Sequence, residues 1–146
     1  MNKIAWLKGL MYPVLVGVTD SPAAIKRFQR KNDLPVANPL EDSYATTVFY
    51  GTPEGTYVLL AFPEDMHEDE DVCPAAVIAH ESMHAVQLIW RTIGEQNPSM
   101  EAEAYLLDHI VEHAMRELGY SVVKKSADNG KGVIGFHSPA KEDKQA

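Results

Sequence analysis

The stretch "AAVIAHESMHAVQLIW", Ala75–Trp90, decides how the rest of the chain is read. Its apolar residues predict a buried helix. Pro74 before it and Gly94 after it are residues that open and close helices. Yet His80, Glu81 and His84 sit in its middle. Residues four apart lie on one helix face, with Cβ atoms about 5–6 Å apart. Two imidazoles at that spacing can converge on a single zinc ion, whose bonds to nitrogen are about 2.0–2.1 Å long. Glu81 follows the first histidine directly and so projects beside the metal rather than onto it. From there its carboxylate can take a proton from a metal-activated water. This is the H-E-x-x-H arrangement, whose mechanism needs those residue types at those offsets.

A catalytic zinc site needs a third protein ligand. The following stretch, "PSMEAEAYLLDH" (98–109), offers Glu101 and Glu103, which point in nearly opposite directions on a helix. A helix over about 98–118 is expected, with Asn97 as N-cap, Pro98 at its first position and Gly119 as its stop. Leu106, Leu107, Ile110, Val111, Ala114, Met115 and Leu118 form its core stripe. Glu101, Tyr105, Asp108 and Glu112 share another stripe. Glu101 and Asp108 are therefore expected to look toward one site, and Glu103 toward solvent. With Glu101 on the metal, Asp108 or Tyr105 is placed to orient a ligand histidine by hydrogen bonding. His109 lies near the same face, where it or Tyr105 is expected to stabilise an oxyanion.

"HESMH", with "EAEAY" beginning seventeen residues beyond His84, resembles the gluzincin metallopeptidases, whose ligands are two histidines and a downstream glutamate. Glu-x-x-Ala, formed by Glu101 and Ala104, is similar to the second-helix pattern of several small gluzincins, in which the first glutamate binds zinc. The resemblance thus implies Glu101 rather than Glu103. This sequence departs at Tyr105, where many of those families have Asp or Asn. Residues 56–118 also look like a group of small proteins from tailed phages and prophages. These likenesses imply a minimal zincin core, an α+β fold with a small antiparallel sheet against two main helices, in the cytoplasm of an infected or lysogenic host cell. They imply no particular substrate.

Upstream, "YPVLVGVTD" (12–20) reads as a strand. "SPAAIKRFQRKND" (21–33) reads as a short basic helix with Ser21 as N-cap and Pro22 at its first position. "LPVANPLEDS" (34–43) reads as a loop. "YATTVFYG" (44–51) and "TYVLLAFP" (56–63), joined by "TPEG", read as a hairpin. "TYVLLAF" is expected to offer an edge to which a peptide adds as a strand. "EDMHEDEDVC" (64–73) reads as an acidic loop whose charge suits the helix N-terminus that follows. Downstream, "YSVVKK" (120–125) reads as a strand, and the remainder as a charged, frayed tail.

The 146 residues fit one domain: strands, short helix and loop over 1–73, the metal-binding helix pair over 74–119, and a strand and tail over 120–146. No apolar run reaches the roughly 18–20 residues of a membrane span. The N-terminal "MNKIAWLKGLMYPVLVGVTD" is broken by Lys8 and Pro13, which disfavours a signal peptide. The single cysteine, Cys73, builds no disulfide framework, so a reducing cytosol is expected. Charge is uneven. Residues 34–123 carry sixteen acids against two arginines, and the whole chain carries a net charge of −8. That argues against a nucleic-acid partner and fits a basic partner, a bound cation or solubility.

Three histidines remain. "HIVEH" (109–113) matches an inverted H-x-x-E-H pattern, which needs a further acidic ligand well downstream that the short tail does not offer. His113 is expected at the surface, His67 in a solvated loop, and His137 without a partner. The expected function is a zinc-dependent peptidase with His80, His84 and Glu101 as ligands and Glu81 as general base, acting on a peptide or protein. The alternative is a non-catalytic zinc-containing phage protein that binds a host protein through its acidic surface.

Overall fold

The computed structural model describes residues 1–124 and 134–137. The chain runs β1 (Ala5–Trp6), β2 (Val14–Thr19), α1 (Pro22–Lys31), β3 (Thr46–Thr52), β4 (Gly55–Ala61), α2 (Pro74–Ile93), α3 (Met100–Glu117), β5 (Ser121–Lys124) and β6 (Ile134–His137). A four-stranded sheet has the order β1-β2-β4-β3, and β5 pairs with β6. The fold is α+β, but the sheet is mixed rather than antiparallel. β2 and β4 run parallel, Val14 opposite Thr56 and Thr19 opposite Ala61. Parallel neighbours need a crossover, and α1 with β3 supplies it.

Alternation sorts the side chains into two layers. Val14, Val16 and Val18 of β2 and Val58 and Leu60 of β4 join Phe62 in a core shared with Ile78, Ala85, Val86 and Ile89 of α2 and Leu106, Ile110 and Ala114 of α3. On the opposite face, Leu59 and Ala61 pack with Ile25 of α1. Trp6, Phe28 and Tyr57 stack there with ring centroids 5.1–5.6 Å apart. Gln29, buried on α1, holds the loop that follows. Its amide donates to the Ala37 carbonyl (3.0 Å) and to the Tyr50 hydroxyl (3.1 Å), and its oxygen accepts from the Ala37 N–H (3.2 Å).

The helix boundaries follow their caps. Ser21 caps α1, its hydroxyl accepting from the Ala24 N–H (3.2 Å). α3 is capped by Ser99 rather than Asn97, the Ser99 hydroxyl accepting from the Ala102 N–H (3.2 Å). Pro98 therefore stands before the cap, not at the first helical position. α2 and α3 stop alike, at glycines of positive φ. Glu95 N–H reaches back to the Trp90 carbonyl (3.0 Å), and Tyr120 N–H to that of Met115 (2.8 Å). These are Schellman closures, which place glycine where a Cβ would be strained.

Two further expectations change. β1 pairs antiparallel with β2, in an N-terminal apolar segment where no strand was expected before Tyr12. Ile134–His137, read as tail, is a strand paired with β5. The charged segment 138–146, expected to fray, lies outside the described residues.

Gly17 of β2 lies where a side chain would not fit. It sits opposite Trp6, and a Cβ there would lie 2.6 Å from Ile4 Cγ2 and 2.7 Å from Trp6 Cζ3. Gly17→Ala should therefore destabilise the chain by about 1–3 kcal/mol, the usual cost of overpacking. Gly51→Ala, whose Cβ meets nothing nearer than Phe49 Cε1 at 3.8 Å, should be neutral or slightly stabilising. Urea unfolding midpoints of both variants check this. Equal midpoints would mean that Trp6 moves aside without cost.

Candidate functional site

α2 packs one side against the sheet and another against α3, and its remaining strip faces out beside β3. On that strip His80 and His84 bring their Nε2 atoms to 3.1 Å, with the rings nearly perpendicular at 85°. Both histidines are exposed. The two ring nitrogens face one another across one turn of α2. Two nitrogens each about 2.0–2.1 Å from one ion would subtend roughly 100° at that separation, near the tetrahedral angle zinc takes. The pair thus fits two places of a zinc site.

Glu81 is only 6% exposed. Thr47 of β3 makes this burial tolerable. Its hydroxyl lies 2.8 Å from Glu81 Oε2 and 2.8 Å from the Glu81 backbone carbonyl. One hydroxyl proton faces both acceptors, so Thr47 ties the side chain and the helix backbone to the sheet edge together. A buried carboxylate without a donor would be costly.

His80, Glu81 and His84 line an open cavity of about 470 Å³ together with Ser43, Ala45, Thr46, Thr47, Gln87, Leu88 and Arg91. Thr47 and Arg91 went unnoticed in the sequence. Thr47 had no signal, since its contact with Glu81 joins residues far apart in the chain. Arg91 did have one: it lies seven residues after His84, on the same helix face.

α3 contributes nothing to this lining. Glu101 stands exposed in its first turn, and Tyr105 is 71% exposed. Asp108, His109 and Glu112 are also exposed, while Glu103 is half-buried. The stripe Glu101–Tyr105–Asp108–Glu112 exists as read, but it meets solvent instead of the histidines. Glu103 is the more shielded of the two glutamates, the reverse of the expectation. Among the described residues, no group of three or more His, Cys, Asp or Glu side chains is gathered to hold a metal ion.

The inverted motif dissolves. His113, expected at the surface, is 4% exposed. Its Nε2 lies 3.0 Å from the Ala5 carbonyl, and Arg116 Nη2 lies 3.2 Å from its Nδ1. Both ring nitrogens are therefore engaged: Nε2 fastens α3 to β1, and Nδ1 meets a neighbour one turn along α3 itself. A ring whose Nε2 carries the proton satisfies both contacts, donating to Ala5 and accepting from Arg116. His67 is half-buried, its Nε2 3.7 Å from Glu68 Oε1. The acidic loop folds back on the start of β3. Desolvation first, then the charges of Asp69 and Asp65 and a hydrogen bond to Asp69, raise the Tyr44 hydroxyl above the usual phenol pKa. His137 lies in β6, and its side chain is outside the described features.

No protein-family model, curated protein or solved structure matches the chain. No helix among the described residues is long and apolar enough to cross a membrane.

The Thr47–Glu81 contact generates a prediction about stability. Thr47→Val should cost about 1–3 kcal/mol, because a buried carboxylate loses its donor. In the Glu81→Gln background the same change should cost less, since a neutral amide is cheaper to leave unpaired. Urea unfolding of the two singles and the double closes the cycle. Strict additivity would show that the hydroxyl does not serve the carboxylate.

Proposed function

We propose that the chain is a zinc-dependent peptidase, with His80, His84 and Glu101 holding the metal and Glu81 as general base. The observation that carries this reading is the 3.1 Å approach of the two histidine Nε2 atoms beside a carboxylate held at the rim of a cavity. Zinc supplies Lewis acidity, polarising a carbonyl and acidifying water. Glu81 takes the proton from the attacking water and passes it to the leaving amine. Thr47 keeps its carboxylate in place meanwhile. Glu101 is exposed and lies outside the cavity lining. It completes the set only when the first turn of α3 swings toward α2, and the 94–99 connection is the short segment that would have to turn.

The substrate-edge expectation moves to another strand. β4 has neighbours on both sides and offers no edge. β3 is the outer strand, and its Thr46 and Thr47 line the cavity. A peptide adding as a strand would therefore pair with β3 and pass over the histidines. Tyr105 and His109, like Glu101, lie outside the cavity lining. On this proposal the activity would belong to the cytoplasm of an infected or lysogenic host cell, as the phage resemblance implies.

A second reading is favoured by two observations: the Glu81 carboxylate already has a donor in Thr47, and Glu101 faces solvent. Under it the chain is a non-catalytic zinc-containing phage protein that binds a host protein through its acidic surface, which Glu64, Asp65 and Glu68–Asp71 expose.

Zinc content after dialysis against a weak chelator, with peptide hydrolysis on the same samples, separates the two. The wild type should keep zinc, His84→Ala should lose it, Glu101→Ala should lose most of it, and Glu103→Ala should change little. Glu81→Gln should keep zinc and lose about 10²–10⁴-fold in hydrolysis. A zinc-free wild type removes both readings. Zinc without hydrolysis of any peptide leaves the second.

A further inference from the structure

Between residues 34 and 123 the chain holds sixteen acids and only two basic side chains, Arg91 and Arg116. Arg116 is occupied. Its Nη2 lies 3.2 Å from His113 Nδ1 and its Nε 3.4 Å from Glu117 Oε1. Arg91 lines the cavity with the histidine pair, and its guanidinium has no hydrogen bond or ion pair among the described residues. A cation in the last turn of a helix stabilises the helix dipole from any side. What that role leaves unexplained is the side: Arg91 stands on the strip of His80, His84 and Gln87.

The distances suit an extended ligand. Seven helical residues separate the Cα atoms of His84 and Arg91 by about 10 Å. Helical side chains lean toward the N-terminus, which carries the guanidinium back toward the histidines. An extended peptide advances about 3.3 Å per residue. A group two or three residues from a carbonyl at the histidines would meet Arg91. The surroundings select its charge. A carboxylate approaching so acidic a chain is repelled everywhere except where a cation waits, and a guanidinium offers a planar fork that a carboxylate matches.

We infer that Arg91 is the specificity residue of the cavity, binding a carboxylate of the peptide substrate, either its free C-terminus or an acidic side chain. The inference rests on the peptidase reading for the word substrate, and its test is chosen to stand without catalysis. Three forms of one short alanine-rich peptide serve as probes: with a free C-terminal carboxylate, with a C-terminal amide, and with the amide plus one internal glutamate. Their binding to the full chain equilibrated with zinc is followed by calorimetry for the wild type, Arg91→Gln and Arg91→Lys, each first shown to melt cooperatively, and in the wild type also by the Arg91 Nε–H resonance.

At least one carboxylate form should bind the wild type up to about fivefold more tightly than the plain amide, the upper end of what one exposed ion pair allows. Arg91→Gln should erase the difference, and Arg91→Lys should keep part of it. A preference for the free carboxylate alone identifies the C-terminus as the source, and one for the glutamate form alone the side chain. Equal binding of all three forms, no binding of any at millimolar concentration, or a preference that survives Arg91→Gln overturns the inference; the last would place the carboxylate on the metal. Hydrolysis is read separately. Where it occurs, Arg91→Gln should raise KM for the carboxylate peptide and leave kcat in place. Hydrolysis without carboxylate preference removes the Arg91 inference alone, and preference without hydrolysis removes the peptidase reading alone.

Discussion

The second half of β4 has no side that can meet water. Val58, Leu59, Leu60 and Ala61 are all fully buried, so the strand needs cover on both faces and a neighbour on both edges. Every larger feature answers to this. α1 covers Leu59 and Ala61, while α2 and α3 cover Val58 and Leu60. β2 takes one edge in parallel register, which forces the chain to cross over through α1. β3 takes the other edge by a short turn and so becomes the outer strand of the sheet. The site lies where that outer strand meets the helix beneath it.

That meeting line lets one helix be both buried and polar. A carboxylate inside the α2–α3 contact would have no donor, and one fully outside would have no fixed position. At the margin of β3, Glu81 is shielded yet reached by the Thr47 hydroxyl at 2.8 Å. The strain-free way to hold a charged group still is to let a rigid neighbour donate to it. Edge strands also leave backbone groups unpaired. The same line thus supplies a fixed carboxylate, two converging imidazoles and a strand open to a further partner.

The local parts of this design are legible in the sequence. Ser21 with Pro22, and Pro74 with Gly94, bound their helices because capping is decided within a few residues. "TYVLLAFP" announces a strand, and its unbroken apolar run is the mark of burial on both faces. The run does not say which strand lies beside it. β2 is some forty residues away, and its parallel pairing is fixed by packing that no local pattern encodes. A two-residue strand such as β1 has no period to detect. Asn97 and Ser99 are equally good caps around Pro98, and only the position of the Ala102 N–H chooses between them. His113 bonds to a carbonyl 108 residues away, so nothing near it distinguishes it from a surface histidine.

The α3 stripe shows a different limit. Spacing groups Glu101, Tyr105, Asp108 and Glu112 correctly, because the helical period is reliable. Every amphipathic helix has such a stripe, however, and water alone is reason enough for it. A stripe becomes evidence for a site only when solvent cannot explain it. The α2 strip is exposed as well, so water accounts for its polarity too; what water does not account for is the buried carboxylate of Glu81 beside it. The four polar positions of that strip, His80, His84, Gln87 and Arg91, recur at offsets of four, three and four and open on a single cavity. The apolar flanks that make "AAVIAHESMHAVQLIW" look out of place are what give Glu81 its meaning. The same reasoning ranks Glu101 below Glu81, since its exposure on α3 requires no ligand to account for it.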